Sequence, residues 1–323
     1  MIILKENLML NLNSKTMKRK NLIRPIIVLA VTTLIVVACE KSDAPVGTLT
    51  SEDIILAKDD VAADDIYTEI DASVLEKISD LENSDYQVVT EKSALGDFPC
   101  LVVTVDYPDT TRFPKVITLD YGEGCTVILH NDTITKKGEI IITVTDRRFV
   151  VGSKHIITFD NFYVNDIKVE GTLTTTYLGI SNEGLLQFDF QLEDGKLIFY
   201  DEASGQSLEY TRDADMLKEW YRAPIPVEDS IYLSGSMWGV NVIGENYGCV
   251  ITGKLTLAHC LDYGRRWVIV DGQIVYTVGD TERIIDYSDG ACDGTAAIRG
   301  NGVGHRIRVR ELHRHHELPN DGN

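Results

Sequence analysis

The chain has 323 residues, of which 44% are hydrophobic and 25% charged, as in folded globular proteins rather than in disordered or polytopic membrane proteins. Its 31 basic and 50 acidic side chains give a formal net charge of −19. Proteins that bind nucleic acid concentrate Lys and Arg on their surface, so this balance argues against DNA or RNA as a partner. For each candidate catalytic motif, a structural role is the better explanation of its residues. The sequence therefore predicts the cellular location and the fold of the protein rather than an activity.

The first 38 residues have the pattern of a secretory signal peptide. A basic cluster follows Met17, the hypothesised true start, and an apolar run from Ile26 to Ala38 comes after it. Thirteen helical residues span about 20 Å, which is less than the hydrocarbon core of about 30 Å, so we do not expect a transmembrane helix. A basic head, a short apolar middle and a small-residue exit predict a cleaved signal peptide.

The exit of this segment, Val36-Val37-Ala38-Cys39, resembles a bacterial lipobox. In a lipobox the cysteine thiol is diacylated and the preceding peptide is removed, so the resemblance implies lipid attachment at Cys39. Acyl chains bury methylenes at about 0.8 kcal/mol each, and several chains hold a domain firmly on a bilayer. Glu40, in place of a retention Asp, favours the outer membrane and leaves its periplasmic face and the cell surface both open. The alternative is an ordinary signal peptide with a chance cysteine.

Residues 51–83 are predicted to form one amphipathic helix. Apolar residues recur at every fourth position from Ile66 to Ile78, and Thr50 or Ser51 can cap the first turn. The opposite face is acidic and is expected to be solvated, although a partner-binding helix is the alternative. The acidic residues of that face are Asp59, Asp60, Asp64, Asp65, Glu69 and Glu76.

From about residue 95 the helical period gives way to short alternating segments rich in β-branched residues. Asn182-Glu183-Gly184, Asp194-Gly195 and Asp271-Gly272 are hairpin or bulge signals, because glycine tolerates a positive φ. Regular strands without intervening helices predict a mainly β fold. We expect antiparallel strands in two related halves, forming a sandwich or a long twisted sheet, behind one N-terminal amphipathic helix.

Composition divides the chain into seven segments. A stretch with Pro224, Pro226 and several charges is interpreted as a connector between the two β halves. The segments are a signal peptide at 1–38, a lipidated cysteine and tether at 39–50, a helix at 51–83, a first β half at 95–212, a connector at 213–229, a second β half at 230–312 and a polar tail at 313–323.

The two predicted halves share a unit of strand, polar turn, strand and a D-Y-x-[ED]-G turn that ends near a cysteine. The unit runs from Val103 to Cys125 and again from Tyr276 to Cys292. Duplication of one β unit is the preferred explanation. An upstream cysteine precedes each copy, and an exported protein can hold disulfides. The duplication suggests Cys100–Cys125 and Cys260–Cys292 with Cys249 left over, while reduced pairs or a Cys249–Cys260 bridge remain open.

Several longer strings, at 113–125, 136–140, 159–172 and 285–293, resemble a family of uncharacterised bacterial outer-membrane lipoproteins. The resemblance extends from the anchor to about residue 300. It implies a lipid anchor, a leading helix and two related β halves, and it implies no assigned activity and no catalytic residues. The sequence departs from the family pattern at Ser288, where glycine is usual, and in its His-rich tail.

Candidate chemistry in the chain is weak. Acidic turn residues could bind Ca²⁺, but turn carboxylates usually accept hydrogen bonds from nearby backbone N–H groups. Three His side chains near the C-terminus lack the H-E-x-x-H spacing of zinc peptidases and are interpreted as part of a polar tail. The tryptophans are expected to pack in the core, although exposed ones could stack on sugars. The residues considered are Asp120, Glu123, Asp286, Asp289 and Asp293 for metal, His313, His315 and His316 in the tail, and Trp220, Trp238 and Trp267.

These observations predict a lipid-anchored envelope protein with a structural or surface-binding role, without cofactors, catalytic residues or a metal. Its expected partners are the lipid bilayer, through Cys39, and an unidentified protein or glycan. The alternative is an envelope hydrolase that acts on glycans or peptides through acidic residues. A deep pocket with two convergent acids, one with a raised pKa, would favour the hydrolase.

Overall fold

The computed structural model describes residues 48–86, 98–106, 111–129, 132–201, 205–260, 266–300 and 303–308. Within these ranges the protein is mainly β, as predicted, with one α-helix (α1), one 3-10 helix and fifteen strands. The signal peptide, Cys39 and the C-terminal histidines His313, His315 and His316 lie outside the described residues.

Helix α1 spans Ser51–Asn83, and a capping box fixes its start. The Thr50 hydroxyl accepts a hydrogen bond from the Asp53 backbone N–H at 3.1 Å, and the Asp53 carboxylate accepts one from the Thr50 N–H at 2.7 Å. These bonds satisfy donors that the first helical turn leaves without intrahelical partners. The predicted N-terminal helix is therefore confirmed.

All strand pairings in the described residues are antiparallel, and they join into a single sheet. The 3-10 helix is Pro226–Glu228. The strands are β1 Val102–Val105, β2 Lys115–Asp120, β3 Cys125–Leu129, β4 Asp132–Val144, β5 Lys154–Val164, β6 Ile167–Ile180, β7 Leu186–Asp201, β8 Gln206–Tyr221, β9 Ser230–Val240, β10 Asn246–Ile251, β11 Leu255–Cys260, β12 Arg266–Val278, β13 Thr281–Asp289, β14 Thr295–Gly300 and β15 Val303–Arg308.

The strand order follows the chain almost throughout. Strand β2 pairs with β4, which also carries β3, and β11 pairs with both β9 and β12. The predicted long sheet is thus the form adopted, and the sandwich alternative is not. Short connections between sequence neighbours account for this order, since antiparallel strands need only a tight turn between them.

The predicted connector at 213–229 is wrong in its first half, because β8 continues to Tyr221. Alternate residues of this stretch, from Ala214 to Trp220, are buried on one face of the strand. Its charged residues masked that period-2 pattern in the sequence, and Lys218 itself is on the buried face. Only the segment that follows Tyr221 forms a loop.

Glycine signals mark two β-bulges and one turn. Asp194-Gly195 and Asp271-Gly272 lie at register shifts inside β7 and β12, and residues 182–184 form the turn between β6 and β7. A Cβ on Gly195 would stand 2.4 Å from the Arg212 carbonyl oxygen, so this position admits only glycine. The bulge therefore lets β8 pass close to β7 at Arg212.

The sheet surrounds the helix. Every residue from Asp59 to Ala72, about four helical turns, is buried, so no side of this segment faces solvent. Side chains from β4, β6, β8, β11 and β13 all bond to α1. The predicted solvated acidic face is wrong for Asp59, Asp60, Asp64, Asp65 and Glu69, which are at most 8% exposed.

Two related halves are not shown by the structure. The sheet is continuous across the predicted boundary. Tyr121 follows β2 and packs with its ring centroid 5.2 Å from that of Phe98, whereas Tyr287 lies within β13 and donates a hydrogen bond to Asp64 at 2.5 Å. The duplication stays a prediction.

Candidate functional site

The cysteines pair as the duplication suggested. Disulfides join Cys100 to Cys125 and Cys260 to Cys292, and Cys249 is a buried free thiol. The alternative Cys249–Cys260 bridge is therefore wrong. Cys260 ends β11 and Cys292 follows β13, so the second disulfide fixes the segment after β13 to β11, two strands away in the sheet.

The acidic turn residues bond to the protein itself. Asp120 accepts the Gly122 backbone N–H at 2.7 Å, and Asp293 accepts that of Thr295 at 3.0 Å. Asp286 is bound by Gln273 and forms an ion pair with Arg299 at 2.8 Å. Over the described residues, no group of three or more His, Cys, Asp or Glu side chains is arranged to hold a metal ion. Asp286, Asp289 and Asp293 thus form no metal centre there.

The three tryptophans differ in their environment. Trp220 is buried and its indole N–H donates to Asp229 at 3.0 Å. Trp267 is also buried, with its ring centroid 4.0 Å from that of His259. Trp238 is 46% exposed on β9. Core packing is confirmed for two of the three.

The centre of the molecule holds a buried ion cluster between α1 and β8. The Arg212 guanidinium donates to both Asp60 and Asp64, which are one helical turn apart. Tyr210 donates to Asp60 at 2.6 Å and Tyr287 donates to Asp64 at 2.5 Å. All five side chains are buried. The planar guanidinium, with its several donors, suits a position between two carboxylates.

Burial governs the protonation of this cluster. Loss of solvent raises the pKa of Asp64 to about 6, although the Arg212 charge acts in the opposite direction. Burial likewise raises the pKa of Tyr210, of Tyr287 and of the Cys249 thiol well above their ordinary ranges. The cluster therefore contains two convergent acids, one with a raised pKa, which is the constellation that would favour a hydrolase.

The space around the cluster does not admit a substrate. The cavity beside Asp64 and Arg212 has a volume of about 10 Å³, which is about the room one water molecule needs. Apolar side chains of the sheet, among them Phe190, Leu192 and Met237, close it. The two acids are therefore partners of Arg212 in the core rather than an acid–base pair that faces a ligand.

Further ion pairs join the helix to the sheet along its whole length, with the acid on the helix and the base on a strand or a loop between strands. Because the bases are distant in sequence, helical periodicity gave no sign of them. The ion pairs are Asp53–Arg283, Glu69–Lys136, Asp71–Lys218 and Glu82–Arg148, and the Nε2 atom of His259 lies 3.1 Å from a carboxylate oxygen of Glu76.

An exposed apolar surface lies at one end of the sheet. The loop between β4 and β5 places three consecutive apolar residues in solvent, and two residues near the end of β6 extend them. We call these five residues the far-end surface: Phe149, 38% exposed, Val150, 44%, Val151, 69%, Leu178, 49%, and Ile180, 66%. Contiguous exposed apolar residues on a folded protein mark an interaction site.

Hydrogen bonds hold this loop in one conformation. Backbone bonds from Val150 to Arg147 and from Ser153 to Val150 close two successive turns. The Gly152 N–H donates to the Tyr177 carbonyl at 2.8 Å, which fixes the loop against β6. The exposed Arg222 lies with its guanidinium carbon 6.0 Å from the Phe149 ring centroid. The surface is therefore preformed and carries a cation beside its aromatic ring.

The far-end surface is beside the C-terminal end of α1. Glu82, in the last turn, accepts the Arg148 backbone N–H at 2.8 Å and pairs with the Arg148 guanidinium at 3.5 Å. A helix of 33 residues is about 50 Å long. The far-end surface is thus about 50 Å from the N-terminal end of α1, which is the end nearer to Cys39 in the sequence.

Comparisons with known proteins add no relationship: no protein family, no curated protein and no solved structure matches the chain. In the described part of the chain, no helix combines the length and the apolar character needed to cross a bilayer. Sequence reasoning missed the far-end surface, although the run Phe149-Val150-Val151 between two strands was a signal that could have indicated it.

Proposed function

We propose that this protein is a lipid-anchored envelope protein that binds a partner through its far-end surface and catalyses no reaction. The observation that carries the proposal is the preformed patch of five exposed apolar residues at the end of the sheet remote from the helix N-terminus. An apolar surface held in one conformation loses little entropy on binding, which favours recognition.

The chain enters the fold at the N-terminal end of α1, and the far-end surface lies beside its C-terminal end. Eleven residues separate Cys39 from Ser51, and a fully extended chain of that length spans at most about 40 Å. The helix alone spans about 50 Å. A lipid on Cys39 would therefore keep the helix N-terminus within about 40 Å of the bilayer, which is less than the length of α1.

Two features of the core support a binding role over hydrolysis. The buried acids of α1 are bound by basic or hydroxyl groups of the sheet, and the cavity beside Asp64 is too small for a sugar or a peptide. Catalysis requires reacting groups that a substrate can reach.

The anchor is tested by labelling cells with a fatty-acid analogue. We expect the wild-type protein to be labelled and the Cys39→Ser variant to be unlabelled and released from membranes. Equal labelling of the two proteins, or no label on either, would refute lipidation at Cys39 and leave the binding proposal to its own test.

The binding surface is tested with a photo-crosslinking residue placed at Val151. A matched variant carries the same residue at Val250, which is 54% exposed on β10 and lies four strands from β6. We expect one discrete crosslinked product from Val151 in intact cells and none from Val250. The proposal fails if both positions give the same products or if Val151 gives none.

A further inference from the structure

Lys218 of β8 and Asp71 of α1 form the most enclosed lysine–carboxylate pair in the described residues. Their side chains are 1% and 5% exposed, and the lysine ammonium contacts one carboxylate oxygen directly. The Thr175 hydroxyl donates to the other oxygen at 2.6 Å. The Phe188 ring centroid lies 5.1 Å from Lys218 Nζ, so apolar groups complete the enclosure.

Such a pair has a chemical alternative to remaining ionic. Removing two charges from water costs free energy that their attraction does not always recover. In a dry, apolar site the neutral amine and the neutral carboxylic acid are the competing forms, and an amine held against a carboxyl carbon can form an amide. We propose that Lys218 and Asp71 join in an intramolecular isopeptide bond, which ties α1 covalently to β8.

The reaction balances without any further reagent. A proton passes from the Lys218 ammonium to the Asp71 carboxylate, which leaves a neutral amine beside a carboxylic acid. The Nζ lone pair attacks Cγ, a new N–C bond forms, and the Cγ–OH bond breaks. The second proton leaves Nζ with that hydroxyl as one water molecule. No oxidation state changes.

The surroundings supply what this condensation needs. Held in contact, the two groups react as one molecule, and well-oriented intramolecular reactions reach effective concentrations of about 10⁵ M or more. The space beside the pair has no room for water, whereas the neighbouring cavity, which shares Thr68, Phe190 and Leu233 with it, has room for about one molecule. The neighbouring cavity therefore has room for the product water.

A neutral base is also close by. His155 of β5 lies opposite Thr175 in the sheet register, and its Nε2 atom makes no hydrogen bond within the described residues. Burial lowers the pKa of His155 to about 4, and the charges of Lys218 and Asp71 both act on it. The imidazole is thus held neutral in the surroundings of the pair.

The second buried lysine pair provides a matched control. Lys136 donates to both oxygens of Glu69, at 3.3 and 3.4 Å, and the two side chains are 5% and 11% exposed. This pair is more open to solvent and its lysine is shared between the two oxygens, as in an ordinary ion pair. We assign the isopeptide bond to Lys218 alone.

The test is the intact mass of the purified, fully reduced and denatured protein. We expect the wild-type chain to be lighter by one water molecule than the mass derived from the identically processed Lys218→Arg variant after correction for the substituted residue. Trypsin should release a branched peptide in which residues 59–77 are joined to residues 213–222, since a modified Lys218 resists cleavage. A wild-type mass that shows no such deficit overturns the proposal, as does a branch at any other lysine.

Three variants make the result specific. Lys218→Arg keeps the charge and the ion pair but offers no amine, so it should have the full mass and migrate more slowly in a denaturing gel. Asp71→Asn should lose one ammonia in place of one water. Lys136→Arg should retain the wild-type deficit of one water. A deficit that persists in Lys218→Arg, or disappears in Lys136→Arg, contradicts the assignment.

Discussion

At the scale of single residues, Arg212 bonds to four buried side chains, those of Asp60, Asp64, Tyr210 and Tyr247. Replacing it with methionine leaves Asp60 and Asp64 buried without their counter-charge, and removal of one member of a buried ion cluster costs about 3–5 kcal/mol. Urea unfolding should show this loss for Arg212→Met. The control is Arg306→Met, because Arg306 pairs with Asp293 while its side chain is 69% exposed. Its unfolding free energy should change by less than about 1 kcal/mol, and equal losses in both variants would contradict the role of Arg212.

A second prediction at this scale concerns pH. Burial lowers the pKa of His155 to about 4 in the folded protein, against 6.5 for a solvated imidazole. The unfolded chain therefore binds a proton first as the pH falls, so this contribution to stability is complete above pH 6.5 and is lost progressively toward pH 4. Its size is about 3 kcal/mol.

The His155→Gln variant should lack that component. We expect the difference in unfolding free energy between wild type and His155→Gln to shrink by about 3 kcal/mol as the pH is lowered from 7 to 4. His305→Gln, on the exposed strand β15, is the control for replacing an imidazole that is open to solvent. A constant difference between wild type and His155→Gln across this range would show that His155 is not held neutral.

At the scale of elements, each disulfide closes a loop between two segments that are distant in the chain. Cys260 and Cys292 are 32 residues apart. Closing a loop of that length lowers the conformational entropy of the unfolded chain, which stabilises the folded protein by about 3–4 kcal/mol. The double variant Cys260→Ser/Cys292→Ser should lose about that amount in urea unfolding under non-reducing conditions. Adding a reductant should lower the stability of the wild type further, because it also opens Cys100–Cys125. An unchanged unfolding midpoint in the double variant would contradict the entropic account.

The elements also show where sequence reasoning succeeds. The start of α1 could be predicted because its signals, Thr50 and Asp53, are local and act within one turn. The disulfide pairing followed from a repeated order of residues. The burial of the acidic face could not be predicted, because Asp64 meets Arg212, 148 residues away, and a helical period carries no information on a second layer of structure.

Strand β8, which forms ion pairs with acidic residues of α1, shows the same limitation of sequence patterns. Its inward residues alternate correctly, but one of them is Lys218, which a hydrophobicity pattern assigns to solvent. Only the opposing carboxylate of Asp71 makes that position compatible with the core. The far-end surface also depends on context, since the exposure of Val151 follows from the turns that hold its loop out from the sheet.

At the scale of the whole molecule, the stability of α1 depends on that of the sheet, because the sheet encloses the helix. The segment from Asp59 to Ala72 is buried on every side, so its amide groups reach solvent only when the surrounding strands separate. Amides that exchange only through global opening share one free energy, which falls with denaturant at the slope of complete unfolding. Helix and central strands should therefore open as one unit.

Native-state hydrogen exchange monitored along the chain checks this cooperativity. We expect residues 59–72 and β8 to exchange with the same opening free energy and the same dependence on urea. The edge strand β1, four residues long and partly exposed, should exchange earlier. If residues 59–72 exchanged faster than β8 with little dependence on urea, the helix would be leaving the sheet in a local opening. The ion pairs that join α1 to the sheet would then not fasten it as the structure implies.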